Sequence, residues 1–339
     1  MTTPPTLTNH QLRLRARPTA LPGPEHFDST EEPVRPSEDG EALLETIYVS
    51  IDPAMRVWMN EDPGYVPPIE IGEIMRAGGL CRVLESRIES IAPGDLVATR
   101  PGWQSHPTLP ADALQKIDSA LGTAEDWVGP LGTTGLTAWF GIREVGAIQP
   151  GETVLVSAAS GAVGQMVGQI AKLEGCRVIG TAGTSEKCRI LVDELGFDAA
   201  INYREASDLE TAIAEHAPEG VDVFFDNVGG PLLDAALASL RMHGRAVICG
   251  RISQTAATEL YGVKNLGLLI GKRAGVEGFI VSDFADQFPE APATLSRHLR
   301  EGAIKQHLHV VEGLDQAPAA LAMLFEGGNT GKLVVRVSS

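Results

Sequence analysis

The clearest indication of the fold is a short turn that reads Ala158-Ala159-Ser160-Gly161-Ala162-Val163-Gly164. Residues 153–158, which lead into the turn and are mostly apolar, predict a strand, and residues 163–173 predict a helix. Glycine in such a turn lets a pyrophosphate approach the backbone, and the helix N-terminus supplies unpaired N–H groups. Ala159 replaces the first glycine of the usual motif. The strand–turn–helix context still favours a nucleotide site over a purely structural turn.

Strands and helices alternate along the chain after this turn. The predicted strands cover residues 177–181, 199–203, 221–225, 245–249 and 276–281, and the predicted helices cover residues 185–195, 208–216 and 231–240. This alternation predicts parallel βαβ units and a doubly wound sheet. The apolar run at 221–225 is typical of a strand that is buried on both faces.

The N-terminal part of the chain has a different pattern. Residues 1–40 are rich in Pro and Glu and are predicted to be irregular, whereas residues 43–51 and 96–98 are predicted strands among frequent turns. These features predict a partly β domain that ends near Trp127. Residues 333–337 predict a last strand, which we expect to return to this first domain.

The bulk properties limit the class of protein. A chain of 339 residues favours two domains, and a net charge of −17 argues against a nucleic-acid partner. We find no apolar run long enough for a membrane span, and Met1 to Leu12 lacks the apolar region of a secretory signal. The four cysteines are scattered, which is typical of a reducing compartment. We therefore expect a cytoplasmic protein without a membrane partner.

The end of the second predicted strand indicates the cofactor. An NAD site usually carries Asp or Glu about 20 residues after the glycine-rich turn. Here residues 180–187 read GTAGTSEK, with no acid at the strand end, and Lys187 can supply positive charge. Tyr203, next to Arg204, ends the following strand at the same edge. A 2′-phosphate would fit there, because no carboxylate at the strand end repels it, so NADPH is favoured over NADH. Alternatively, Lys187 is an ordinary solvated helix residue.

Further motifs are spread over nearly the whole chain, and these are SIDPAMR at 50–56, GE at 72–73, PLGTTGLTA at 130–138, FDNVGG at 225–230, GFIV at 278–281 and NTGKLV at 329–334. Together with the turn at 158–164 they resemble the medium-chain dehydrogenase/reductase superfamily, in its zinc-independent prostaglandin reductase and 2-alkenal reductase branch. The resemblance implies an α/β Rossmann domain at 128–302. It also implies a mostly β, GroES-like substrate domain that is formed by residues 1–127 and 303–339. We also expect a homodimer.

The same resemblance implies the cofactor contacts. Lys187 and Tyr203 would face the 2′-phosphate, and Ala162 and Val163 the pyrophosphate. The residues implied to line the rest of the cofactor are Asn227, Phe279, Val281 and Asn329. The predicted binding set is completed by Thr134, Gly161, Gly164, Gly183, Cys249, Gly250 and Ile252.

The zinc-dependent relatives use a catalytic Cys, a His next to a Glu, and a lobe of four Cys. Here Ile71 precedes Gly72-Glu73 and the cysteines are dispersed, so we predict no metal and full activity without zinc. An α,β-unsaturated aldehyde or ketone suits such a site, because its conjugated carbon accepts hydride directly and the enolate needs only a hydrogen-bond donor or two.

Two tyrosines that are usual in this branch are replaced here by Ala54 and Thr255. Tyr65 is then the first candidate for a donor to the substrate, and Tyr261 is the second. Alternatively, Tyr65 is a packing residue and the cofactor ribose and water manage the enolate.

Other functions remain open at this stage. The same fold could serve an NADPH-dependent quinone reductase or an NADPH-binding protein without turnover, and the fold by itself does not establish the chemistry. A methyltransferase is a further alternative, against which the extended cofactor motifs argue.

Overall fold

The strands and helices follow the predicted alternation in the computed structural model, which describes residues 7–257 and 259–338. The strands, numbered in chain order, are β1 (Thr8–Leu14), β2 (Phe27–Pro33), β3 (Glu41–Ser50), β4 (Gly79–Ser86), β5 (Leu96–Thr99), β6 (Thr108–Pro110), β7 (Gln115–Lys116), β8 (Thr153–Val156), β9 (Arg177–Ala182), β10 (Ala199–Asn202), β11 (Val221–Asp226), β12 (Leu240–Ile248), β13 (Gly275–Gly278), β14 (Leu308–Glu312) and β15 (Lys332–Arg336).

The α-helices are α1 (Ala54–Trp58), α2 (Ala124–Val128), α3 (Thr133–Phe140), α4 (Ala162–Leu173), α5 (Ser185–Arg189), α6 (Leu209–His216), α7 (Gly230–Ser239), α8 (Ile252–Thr255), α9 (Leu268–Lys272), α10 (Ala291–Arg300) and α11 (Ala317–Glu326). Wider π-helical turns continue α3 over Gly141–Val145 and α5 over Ile190–Glu194. Short 3₁₀ segments occur at Pro24–His26, Ala111–Ala113, Asn265–Gly267, Val281–Glu290 and Leu314–Gln316.

Six parallel strands form one sheet in the order β10-β9-β8-β11-β12-β13. Counted from β8 this is the order 3-2-1-4-5-6 of a doubly wound nucleotide-binding fold, so the predicted Rossmann sheet is confirmed. Strand β11 is at its centre, and Val223, Phe224 and Phe225 are fully buried. A strand that is covered on both faces needs apolar side chains in both directions, which explains the apolar run in the sequence.

A second sheet has seven strands, in the order β14-β15-β3-β4-β5-β7, with β6 also paired to β3. The last strand of the chain, β15, pairs antiparallel with β3, so it lies in this sheet and not in the parallel one. The mostly β character that was predicted for this part of the chain is confirmed.

One prediction for the N-terminal region is wrong, because residues 1–40 are not irregular throughout. Strands β1 and β2 pair antiparallel as a hairpin. Leu12, Leu14 and Phe27 on its inner side are buried in the core around Trp103, and the rings of Phe27 and Trp103 are 4.9 Å apart. The outer face of β2 is polar and exposed, which hides its strand pattern in the sequence.

The chain divides into two compact units. The first contains the residues up to Val128, Leu308–Asn329 and the residues from Leu333 onward, and the second contains Gly129–His307 and Thr330–Lys332. The predicted second boundary, at 302/303, is therefore displaced by five residues, because residues 303–307 belong to the unit of the parallel sheet.

Two glutamines of α4 explain this displacement. The amide of Gln169 donates to the carbonyl of Lys305 at 2.8 Å and accepts from the Lys305 N–H at 2.8 Å. Gln165 makes the same pair of bonds with His307, at 3.3 and 3.0 Å. Both glutamine side chains are buried, and their bonds hold the backbone of residues 305–307 to α4.

Among the described residues, no helix is long and apolar enough to span a membrane.

Candidate functional site

The predicted cofactor residues of the second unit lie mainly after the carboxyl ends of its parallel strands. The strand ends and the residues that follow them are β8 with Gly161 to Gly164, β9 with Gly183 and Lys187, β10 with Tyr203, β11 with Asn227, β12 with Cys249, Gly250 and Ile252, and β13 with Phe279 and Val281. Because the carboxyl ends of parallel strands meet at one edge, these residues share one side of the sheet.

The turn between β8 and α4 is tightly packed. Ala158 has a φ of 45°, an uncommon left-handed conformation for a residue other than glycine. A Cβ on Gly164 would lie 2.4 Å from the Ala158 carbonyl oxygen, and a Cβ on Gly180 in β9 would lie 2.8 Å from the Cβ of Ala159. Glycine at 180 therefore makes room for Ala159, which explains how the degenerate motif fits here.

The helix α4 begins at this turn with Gly161 as its N-cap, and no side chain caps it. The first N–H groups of a helix have no partner within the helix, so those of Ala162 and Val163 point to where an anion can bind. The Gly331 N–H donates to the Ser160 carbonyl at 2.7 Å and so ties the turn to a distant part of the chain.

The ends of β9 and β10 bring together the residues that were predicted to read a 2′-phosphate. A Cβ on Gly183 would lie 2.8 Å from the Tyr203 hydroxyl and 3.2 Å from Nε of Arg204. The Arg204 guanidinium carbon is 5.9 Å from the centre of the Tyr203 ring. Sequence reasoning noted Arg204 only as a neighbour, whereas the structure places it beside Gly183.

Two cations meet at this edge. Burial lowers the pKa of Lys187, and the positive charge of Arg204 lowers it further, although Glu186 opposes both. The Thr184 side chain caps α5 by accepting from the Lys187 N–H at 3.2 Å. Glu205 is also present and accepts from the Ser185 hydroxyl at 3.0 Å. A phosphate would relieve the repulsion between Lys187 and Arg204, so the cluster fits a phosphate group.

The end of β11 is organised by the buried carboxylate of Asp226. It accepts from the Ser157 hydroxyl at 2.8 Å and from the N–H groups of Val228 and Gly229 at 2.9 and 3.0 Å. The Ser157 hydroxyl oxygen accepts from the Asn227 N–H at 2.7 Å, and the Asn227 amide donates to the Ser157 carbonyl at 2.8 Å. These bonds fix Asn227. The sequence analysis predicted Asn227 as a cofactor residue but did not predict the role of Asp226 beside it.

The backbone carbonyl of Asp226 also fixes the turn after β12. It accepts from the N–H groups of Cys249 and Gly250 at 2.8 and 3.0 Å. Burial raises the pKa of Asp226, although its hydrogen-bond donors oppose the shift. Burial, together with the charge of Asp226, raises the pKa of Cys249 to about 12. The Cys249 side chain is therefore a neutral thiol and not a nucleophile at physiological pH.

The remaining predicted residues are placed as follows. Phe279 makes an edge-to-face contact with Phe225 at 6.3 Å. The Thr134 hydroxyl in α3 donates to the Gly129 carbonyl at 3.1 Å. Val281 begins a 3₁₀ segment where a strand was predicted, because β13 ends at Gly278. Asn329 is 7% exposed and belongs to the first unit.

The two tyrosine candidates have different surroundings. The Tyr261 hydroxyl donates to the Asp234 carboxylate at 2.9 Å, and the N–H groups of Lys264 and Asn265 donate to the same carboxylate. Its proton is thus used to hold the 261–265 loop to α7. Tyr65 lies in the first unit, is 48% exposed and accepts a hydrogen bond from Nε1 of Trp58 at 3.0 Å.

Comparison with known proteins gives the class. The family described as the N-terminal domain of oxidoreductases matches residues 10–117, and the family described as zinc-binding dehydrogenase matches residues 162–297. The chain belongs to the medium-chain dehydrogenase/reductase superfamily, and within it to the zinc-independent reductase branch that the sequence motifs predicted. Within the described residues, we find no group of three or more His, Cys, Asp or Glu side chains that could hold a metal ion.

Individual relatives match over almost their full lengths. The chain is 39% identical to the NADP(+)-dependent 2-alkenal reductase of Nicotiana tabacum, over 98% of both chains. It is 38% identical to the NADPH-dependent curcumin reductase of Escherichia coli (strain K12), over 97% of both. The crystal structure of CurA in complex with NADPH from Vibrio vulnificus superimposes with a TM-score of 0.91 at 36% identity, and covers 97% of this chain and 99% of that one.

The Asp226 cluster gives a prediction about stability. Ser157→Ala should lower the free energy of unfolding by about 1–3 kcal/mol, because it removes a buried hydrogen bond to a carboxylate and the acceptor of the Asn227 N–H. The matched control is Ser239→Ala, whose hydroxyl only donates to the Ala235 carbonyl one helical turn earlier. Urea unfolding followed by circular dichroism measures both variants. Equal losses of stability would contradict the special role of Ser157.

Proposed function

We propose that the chain is a metal-free, NADPH-dependent oxidoreductase that reduces the activated double bond of an α,β-unsaturated aldehyde or ketone. The observation that carries the proposal is the cluster of Lys187, Tyr203 and Arg204 around Gly183, at the edge of the sheet where α4 begins. Its chemistry matches a 2′-phosphate, and the N. tabacum and E. coli relatives are named for NADP-dependent reduction.

The chain's own residues would divide the binding of the cofactor. The N–H groups of Ala162 and Val163 would hold the pyrophosphate, since a helix N-terminus favours negative charge. Lys187, Arg204 and the Tyr203 hydroxyl would hold the 2′-phosphate through charge-assisted hydrogen bonds. Asn227 and the turn at Cys249 and Gly250, both fixed by Asp226, would line the nicotinamide side. Bound NADPH would supply the hydride.

We propose Tyr65 as the donor to the substrate oxygen. Reduction of a conjugated carbonyl places negative charge on that oxygen, and one well-placed donor lowers the barrier by about 2.7–4 kcal/mol. Tyr261 is the weaker candidate, because its proton is engaged by Asp234. Tyr65 is half exposed, and its hydroxyl oxygen accepts a hydrogen bond from Trp58. Its own O–H proton is therefore not used in that bond and can be donated to a substrate.

We also propose a homodimer that forms through the exposed edge of the parallel sheet. Strand β13 is an edge strand, and large apolar side chains in the segment that precedes it are exposed, among them Ile270 at 84%, Leu260 at 64% and Leu266 at 56%. Exposed apolar edges of this kind are usually covered by a partner. A second copy is the simplest occupant, since a two-fold axis lets identical edge strands pair antiparallel.

We propose a cytoplasmic location, and the state of the cysteines is the reason. All four are free, and burial raises the pKa values of Cys81 and Cys176 to about 12 and about 11. The chain thus carries no disulfide among these residues, as is usual for proteins of a reducing compartment.

The function is tested by following the oxidation of NADPH through its absorbance with enals, enones and quinones, before and after treatment with a chelator. We expect turnover with enals or enones that the chelator does not change. In Tyr65→Phe, turnover should fall about tenfold or more, with NADPH affinity unchanged. Turnover with quinones alone would assign the chain to the quinone reductases, and binding without any turnover would contradict an enzymatic role.

The choice of cofactor gives a second prediction. Lys187→Ala should weaken NADPH binding by about ten- to a hundredfold and leave NADH binding nearly unchanged, since a hydrogen bond between charged groups contributes roughly 1.5–3 kcal/mol. Tyr203→Phe should act in the same direction but less. Calorimetric titration with both cofactors measures this, and equal effects on the two would show that neither residue contacts the phosphate.

The lowered pKa of Lys187 adds a pH dependence. As the pH rises above that lowered pKa, Lys187 of the free protein loses its charge. The ratio of the affinities for NADPH and NADH should therefore fall. Lys187→Arg keeps the charge and should remove most of this fall, because arginine stays protonated. A preference in the wild type that does not change with pH would contradict the contribution of Lys187.

The proposed dimer is tested by light scattering coupled to gel filtration. The wild type should have twice the mass of the chain, and Ile270→Glu should shift it toward the monomer, because the charge would have to be buried in the interface. Leu84→Glu is the matched control, since Leu84 is an exposed apolar residue of the other sheet, at 38%. A monomeric wild type would refute the proposal.

A further inference from the structure

The side chain of Trp58 contacts the proposed donor Tyr65. Trp58 is the last residue of α1, and its Nε1–H donates to the Tyr65 hydroxyl oxygen at 3.0 Å. Its backbone carbonyl accepts from the Ile69 N–H at 2.9 Å. The segment 60–69 is therefore bonded to this one residue at two points, at Tyr65 and at Ile69.

The direction of the Trp58–Tyr65 bond has a chemical consequence. An indole N–H can only donate, so the Tyr65 oxygen must be the acceptor. The phenol therefore keeps its own O–H proton for a second partner. An exposed tyrosine without such a contact would rotate its hydroxyl freely, whereas this one has its oxygen held and its proton directed away from Trp58.

Other contacts hold the same segment in place. The Gly64 N–H, next to Tyr65, donates to the Asp62 carboxylate at 2.9 Å. Arg76 donates to the Pro67 carbonyl at 3.1 Å, and its guanidinium carbon is 5.7 Å from the centre of the Trp58 ring. Arg76 thus contacts both the ring that holds Tyr65 and the backbone two residues after it.

We propose that Trp58 is a positioning residue that orients the Tyr65 hydroxyl toward the carbonyl oxygen of the substrate. The inference rests on the proposed function. The hydride that bound NADPH would supply adds to the β-carbon, the electron pair of the C=C bond forms the double bond of the enolate, and the electron pair of the C=O bond moves onto the oxygen. Tyr65 donates a hydrogen bond to that oxygen and keeps its proton. Water then protonates the α-carbon, and the hydroxide that this leaves passes into solvent, so atoms and charges balance.

The test is a double-mutant cycle on the full chain, with an enone that the wild type reduces. Trp58→Phe keeps an aromatic ring for Arg76 and removes only the N–H donor, and Tyr65→Phe removes the acceptor and its proton. We expect Trp58→Phe to lower kcat about three- to tenfold, with the KM for NADPH unchanged. In the Tyr65→Phe background it should change kcat by less than about twofold, since residues that act through one another are not additive.

Two controls separate positioning from a structural role. Trp139→Phe is the matched control, because Trp139 is also half-buried and has the Arg143 guanidinium 4.2 Å from its ring centre; its kcat should not change. Thermal unfolding of each variant shows whether the chain stays folded. A variant of Trp58 that unfolds is replaced by Trp58→His, whose ring can restore an N–H donor and should recover part of the lost kcat.

The outcomes are distinct. Equal losses from Trp58→Phe in both backgrounds, or no loss in the wild-type background while Tyr65→Phe is impaired, would overturn the inference and leave the proposed function standing. A wild type that reduces no acceptor would overturn the proposed function, and this inference with it.

Discussion

The buried carboxylate of Asp226 is the interaction on which the edge of the parallel sheet depends. The carboxylate joins the ends of two adjacent strands, because Ser157 follows β8 and Val228 and Gly229 follow β11. The backbone carbonyl of the same residue accepts from the turn after the next strand, β12. A buried charge is costly unless donors surround it, and here the donors belong to the turns that present the candidate cofactor residues. The same hydrogen bonds therefore offset the cost of burying the Asp226 carboxylate and fix the shape of the site.

A second electrostatic arrangement lies at the same edge, after β9 and β10. Burial and the positive charge of Arg204 both lower the pKa of Lys187, and Glu186 opposes them. Shifted pKa values of this kind are often found at functional sites. The proposed preference for NADPH thus follows from the electrostatics of the free protein, and not only from hydrogen bonds that form on binding.

Much of this could be predicted from the sequence, because it depends on local pattern. The alternation of strands and helices, the turn at Ala158 and the clustering of Lys187 with Tyr203 all follow from order along the chain and from where parallel strands end. Contacts between distant residues could not be predicted in this way. The glutamine bonds that keep residues 303–307 with α4, the β1–β2 hairpin packed on Trp103 and the bond from Trp58 to Tyr65 leave no periodic signal.

The central claim is that Lys187, Tyr203 and Arg204 surround the 2′-phosphate of NADPH, and phosphorus NMR of the bound cofactor tests it most directly. A phosphate monoester in water has a second pKa of about 6. Two cations and a hydroxyl donor favour its dianion, so the account predicts that the 2′-phosphate pKa falls well below this value in the complex. A bound 2′-phosphate that still titrates near 6 would place it in solvent and contradict the account.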